Sequence, residues 1–162
     1  MQDGVEAAQS FYTRWARAYD VLARRAPGVT AFRKRVVDAL APARGDLVVE
    51  MGCGTGANLP YLRERVGPEG TVVGVDFAPG TLDLARRRTE GWSNVHVARA
   101  DATRPPVAEA DAVLATFVVG MLPDPDGAVR GWTNRLRPGG RVALLDLART
   151  TRPFARPLNP LF

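Results

Sequence analysis

Residues 47–56, Leu-Val-Val-Glu-Met-Gly-Cys-Gly-Thr-Gly, constrain the fold more than any other stretch. Apolar side chains at Leu47, Val48, Val49 and Met51, broken only by Glu50, run straight into glycines at alternate positions, Gly52, Gly54 and Gly56. A strand that is apolar on both faces belongs inside a parallel sheet covered by helices on both sides. Glycine has no Cβ and adopts positive φ freely, so a ligand can lie against bare backbone where the strand ends. Asn58 to Val66 follows, with Leu59, Leu62 and Val66 at helical spacing. Strand, glycine turn and helix together make the opening unit of a nucleotide-binding α/β fold.

The glycines alone do not name the ligand. Gly52, Gly54 and Ala57 satisfy the loose G-x-G-x-x-G/A fingerprint, which leaves nicotinamide and flavin cofactors open at this point. Glu50 argues against a pyrophosphate: two residues before the first glycine, its carboxylate faces the ligand crevice and attracts a group bearing an ammonium and a sulfonium. Gly56 is expected to clear room for an amino-acid moiety. Cys53, the only cysteine, is read as a small turn residue rather than a nucleophile, because an activated thiol needs a base or a strong positive field. A single cysteine also excludes an internal disulfide and a cysteine-based metal cluster.

The flanking segments extend the α/β series. Val5 to Arg25 is an amphipathic helical region with Phe11, Trp15 and Tyr19 in one stripe. Thr30 to Leu40 is a second helix, with Thr30 as N-cap and Phe32, Val36, Val37 and Leu40 inward. Thr71 to Asp76 is a second apolar strand ending in an acid twenty positions after Gly56, the separation at which a carboxylate can accept ribose hydroxyls. Asp76 could instead cap the next helix, Thr81 to Arg88. Phe77 follows where a flat side chain can lie against adenine. Asn94 to Arg99 is the third strand and leads to Asp101, either an adenine contact or a simple turn residue. His96 is read as a structural residue of this strand. Asp111 to Val119 is the fourth strand and its exit, with Thr116 and Phe117 toward the crevice. A helix over Asp126 to Leu136, a turn at Arg137-Pro138-Gly139-Gly140 and a fifth strand over Arg141 to Leu147 complete the series.

In this order, Glu50 to Gly56, Val73 to Asp76, Arg99 to Ala102, Asp111 to Leu122 and Leu136 to Gly140 make the chain resemble the class I S-adenosylmethionine-dependent methyltransferases over roughly residues 8 to 150. Tyr19-Asp20, the segment from Ala115 to Val129 and the Arg-Pro-Gly-Gly turn look like the branch holding ubiquinone and menaquinone C-methyltransferases and phosphatidylethanolamine N-methyltransferases. The resemblance implies a doubly wound, Rossmann-like, mostly parallel sheet of about five strands with an N-terminal helical cap. The cap spans 1–45, the binding core 46–150 and an irregular tail 151–162, within one domain. It implies S-adenosylmethionine as cofactor, S-adenosylhomocysteine as product, and a small-molecule or lipid-like acceptor. Carried over by position, Gly52, Cys53, Gly54 and Gly56 accommodate the methionine part, with Glu50 supplying negative potential. Asp76 holds the ribose, Phe77, Asp101 and Ala102 form the adenine pocket, Thr116 and Phe117 border the methyl group, and Tyr19 covers the cofactor. No catalytic base is assigned and no metal is expected: methyl transfer from a sulfonium is an in-line displacement that positioning and desolvation can serve.

The remaining features bound partners and place. The net charge is +5 over 162 residues, and the cations are almost all arginines dispersed along helices, read as solvated faces rather than a nucleic-acid surface. No stretch approaches a membrane span and no secretory leader is visible, so a cytoplasmic protein is expected. Thr151 to Phe162, with three prolines, disfavours the further strands that usually follow in this family. The fifth strand is then an apolar edge, expected to reflect truncation or to be covered in a homodimer through that edge or the tail. Two other functions stay open: an inactive cofactor-binding module working with a partner chain, and a nicotinamide-dependent oxidoreductase.

Overall fold

The computed structural model describes residues 28–146. Five parallel strands, β1 (Leu47–Met51), β2 (Thr71–Asp76), β3 (Val95–Arg99), β4 (Ala110–Thr116) and β5 (Leu136–Leu145), lie in the order β3-β2-β1-β4-β5. Between them run α1 (Val29–Leu40, before β1), α2 (Leu59–Val66), α3 (Pro79–Arg88), a 3-10 turn at Val119–Met121, and α4 (Pro125–Thr133). The chain builds outward from β1 to β3, then returns to add β4 on the other side of β1. The strand order therefore reverses between β1 and β4, and a ligand crevice forms beyond their carboxyl ends. The α/β, doubly wound parallel sheet expected from the sequence is the architecture found.

Continuous apolar strands make sense of two cores, one on each face. Val48, Val72, Ala112 and Leu114 meet α1 through Val36, Val37 and Leu40, α2 through Leu59, Leu62 and Val66, and α3 through Ala85. Val49, Met51, Val75, Val113 and Ala115 meet Ala128 and Trp132 of α4 and the β4 exit at Val118 on the other face. Each such Val or Leu withdrawn from water contributes about 1.5–3 kcal/mol against the entropy of ordering the chain. β1, buried from Val48 onward, is thus fixed from both sides, and its carboxyl end is held rigidly under the glycine turn.

Several local expectations are corrected. Helix α1 begins one residue before Thr30, and its N-cap is Gly28 in a left-handed conformation with no side-chain cap bond. Phe32 is 55% exposed; the inward stripe is Arg33, Val36, Val37 and Leu40, the i, i+3, i+4, i+7 face. Helix α4 ends at Thr133, and Leu136 opens β5 rather than closing the helix. The Arg-Pro-Gly-Gly segment lies within β5 as an irregularity: Leu136 pairs with Ala110 and Arg141 with Ala112, so the residues between bulge out of the ladder. Arg137 is drawn to Asp111 and Glu109 there, and Asp111 accepts from Leu47 N at 2.8 Å, tying the bulge to the start of β1.

Among the described residues β5 is a sheet edge, with Leu144 44% exposed. The first 27 residues, with the Phe11, Trp15 and Tyr19 stripe and the covering role of Tyr19, and the tail 151–162 lie outside the described residues.

Candidate functional site at the switch point

The glycine turn leaves β1 with Gly52, Gly54 and Gly56 at φ of 66, 54 and 74°, a region open to few other residues. The three have different neighbours. A Cβ on Gly52 would stand 2.7 Å from Val118 Cγ2, and one on Gly56 2.8 Å from Leu59 Cδ1 and 3.2 Å from Ala85 Cβ. Gly56 therefore lets α2 and α3 pack against the turn, not the ligand room expected of it. A Cβ on Gly54 meets nothing within 4 Å, so this backbone borders open space. Cys53 is buried with its sulfur packed over Gly74, where a Cβ would come within 2.9 Å of Sγ. Burial pushes its thiol well above the usual range, which agrees with a packed turn residue and not a nucleophile.

Asp76, at the end of β2, is 7% exposed. Its Oδ2 accepts from Gly54 N at 2.8 Å; its Oδ1 accepts from Ala78 N at 2.9 Å and Thr81 Oγ1 at 3.2 Å. The carboxylate thus braces the glycine turn and the first turn of α3 together, while the N-cap of α3 is Ala78 with no side-chain cap bond. Burial raises its pKa, opposed by those N–H donors. Phe77 follows half-buried, its carbonyl accepting from Arg99 Nε at 3.3 Å. Asp101 is exposed and accepts from Thr103 N at 2.8 Å, an Asx turn; Ala102 is buried and its carbonyl accepts from the indole of fully buried Trp132 at 2.7 Å. His96 is exposed on β3.

The closest-knit part of the site was not visible in the motif. Glu50 is 1% exposed, and its Oε1 accepts from Asn58 Nδ2 at 2.6 Å. The same amide nitrogen donates to Thr116 Oγ1 at 3.0 Å, and Asn58 Oδ1 accepts from Arg33 NH1 at 2.9 Å. Arg33, 5% exposed, also places its guanidinium carbon 5.7 Å from the Phe117 ring centroid, above a residue held at φ 58°. Among the described residues, Glu50 Oε2 has no hydrogen-bond partner. Burial raises the Glu50 pKa from 4.5 to about 8, against the lowering by Asn58 and Arg33. Strand ends β1, β2 and β4 and the loop after β3 thus bring Glu50 through Gly56, Asp76-Phe77, Asp101-Ala102 and Thr116-Phe117 to one rim of the sheet. Arg33 and Asn58 join it unforeseen; the signal for Arg33 was a cation in an otherwise apolar helical stripe.

A protein-family model described as a methyltransferase domain matches residues 48–140. The aklanonic acid methyltransferase DauC of Streptomyces sp. (strain C5) is 36% identical over 134 residues, covering 79% of this chain and 61% of that protein. A demethylmenaquinone methyltransferase of Staphylococcus aureus is 30% identical over 133 residues, covering 81% of this chain and 55% of that one. The chain therefore spans little more than half the length of these relatives. A chain from the complex between the Haloferax volcanii Trm112 methyltransferase activator and a methyltransferase superposes with a TM-score of 0.70 at 25% identity, covering 80% of this chain and 57% of that one. By fold, by the site at its switch point and by these matches, the chain belongs to the methyltransferase domain family, in the class I S-adenosylmethionine-dependent group.

Proposed function

We propose that this protein binds S-adenosylmethionine at the β1–β4 switch point and methylates a small-molecule or lipid-like acceptor in the cytoplasm. The observation that carries the reading is Glu50: an acid at the end of the central strand, buried, with Oε2 lacking any partner among the described residues. A buried carboxyl oxygen without a partner costs free energy until one arrives. An ammonium group satisfies it, while a pyrophosphate does not. The open backbone at Gly54 gives the adjoining room for an amino-acid chain.

In this reading S-adenosylmethionine supplies an activated methyl group on a sulfonium, with a neutral thioether as leaving group. The protein's own residues bind, orient and exclude water. Gly54 presents open turn backbone to the methionine part, with Gly52, Cys53 and Gly56 packed beneath it to hold the turn, and Glu50 faces its ammonium. Asp76 meets the ribose through Oδ2, which accepts one bond in the free protein. Phe77, Asp101 and Ala102 flank the adenine, and Thr116 and Phe117 border the transferred methyl. None of these roles requires a catalytic base.

The test is calorimetric titration with S-adenosylhomocysteine, with NAD as comparison. Gly54→Asn is the site-directed control, because asparagine tolerates a left-handed φ and its side chain would enter the open space. Micromolar binding of S-adenosylhomocysteine, weakened at least tenfold in a Gly54→Asn protein of near-native melting temperature, is expected. Selective binding of NAD by the wild-type protein would refute the proposal.

A further inference from the structure

Asparagine is among the best helix N-caps, and Asn58 stands at the N-cap of α2, yet its side chain makes no cap bond. Its carboxamide turns instead into the buried space between β1, β4 and α1. There every polar position is used: Oδ1 receives Arg33, and the two N–H bonds of Nδ2 go to Glu50 Oε1 and Thr116 Oγ1. The orientation of the amide is fixed by its surroundings. A flipped amide would set N–H against the Arg33 guanidinium, which can only donate. Arg33 does not bond Glu50 directly; the amide stands between them, and Oε2 of Glu50 stays unpaired. A residue that forgoes its local role to hold another side chain in place marks a site where local preference gave way to function.

We propose that Asn58 and Arg33 are positioning residues for the amino-acid end of the cofactor: Arg33 locks the Asn58 amide, and Asn58 holds Glu50 with its second oxygen toward the ligand. The proposal rests on the S-adenosylmethionine reading above. It assigns α1 a part in ligand binding, since Arg33 enters the site from the inward face of that helix. Glu50 holds its proton in the free protein to about pH 8, so the arrival of an ammonium group beside it drives proton release. The charged and titratable groups acting on Glu50 are Arg33 from α1, Asp76 from β2, Arg88 from α3 and the Cys53 thiol of the turn. Asn58 supplies the hydrogen bond that favours the ionised form.

The experiment titrates S-adenosylhomocysteine into the full chain by calorimetry across pH 6 to 9, in buffers of different ionisation enthalpy that report protons released. Wild-type protein, Asn58→Leu, and Arg33→Met with Arg33→Lys as its conservative partner are compared. Wild-type binding is expected to release close to one proton at pH 7 and to strengthen toward pH 8. Losing a hydrogen bond to a charged group should weaken Asn58→Leu roughly tenfold to a hundredfold at pH 7 and move its affinity profile to higher pH. Arg33→Met should move the profile the same way by less, and Arg33→Lys should restore it. Variants that bind more weakly by a constant factor at every pH, with wild-type proton release, would make the network merely structural and overturn the proposal. A wild-type protein that does not bind S-adenosylhomocysteine overturns the cofactor reading and this inference with it. Wild-type binding with unaltered variants overturns this inference alone.

Discussion

Replacing Glu50 by glutamine should abolish the pH dependence of stability that this residue imposes. In the unfolded chain Glu50 loses its proton near pH 4.5; in the folded protein burial holds the proton to about pH 8. Between those values the folded state binds one more proton than the unfolded state, so stability falls as pH rises. The slope approaches about 1.4 kcal/mol per pH unit, and across the window from 4.5 to about 8 the loss sums to roughly 5 kcal/mol. Asp76, also raised by burial, acts in the same direction in both proteins and cancels in the difference. Glutamine has nearly the shape of the protonated acid and cannot ionise. Urea unfolding followed by circular dichroism from pH 5 to 9 should therefore give two curves that diverge steadily from pH 5 and run parallel again above pH 8. By pH 9 the variant should be the more stable by several kcal/mol, a large part of the about 5–15 kcal/mol that a domain has in total. Curves parallel throughout, or a wild-type protein that gains on the variant as pH rises, would refute the argument that Glu50 is buried neutral.

Two other perturbations separate packing from binding. Trp132→Phe removes the indole N–H from the buried Ala102 carbonyl and one ring from a fully buried site; the orphaned acceptor should cost about 1–3 kcal/mol in urea unfolding, with the cavity adding to it. Gly52→Ala sets a Cβ 2.7 Å from Val118 Cγ2 at a positive φ, so it should lower the melting temperature by several degrees, where Gly54→Asn leaves it nearly unchanged. Equal melting temperatures for the two glycine variants would contradict the different neighbours of these positions.

The elements legible in the sequence are those whose burial is decided locally. β1 and β2 fall on the residues expected, Leu47–Met51 and Thr71–Asp76, because runs of Val and Leu between turn residues admit no other placement in a domain of this length. The α1 stripe was misjudged at one position because Phe32 is apolar and Arg33 is not. Hydrophobicity favours Phe32 inside, but only Arg33 can donate to a carbonyl oxygen buried beyond the helix. Glu109, Asp111 and Arg137 likewise decide the bulge in β5 through contacts some 26 residues apart, which no local turn rule contains. Asp76 shows a different limit: spacing singled it out for a ligand, and the structure shows it bracing the turn, a role that spacing alone does not contain.

The glycine motif carries the same lesson into the site. Gly52 and Gly56 are demanded by Val118, Leu59 and Ala85, so two of the three glycines serve the packing of the turn and one borders open space. A glycine count therefore overstates how much of the motif faces a ligand. The acid two residues earlier is the informative member, and its surroundings say why. Arg33 and Asn58 lower the cost of ionising Glu50 without removing it, and leave one oxygen bare. On the proposed reading, a direct Arg33–Glu50 pair would already compensate the carboxylate's charge and leave none for an ammonium group. The amide between them leaves the last step of charge compensation to whatever binds.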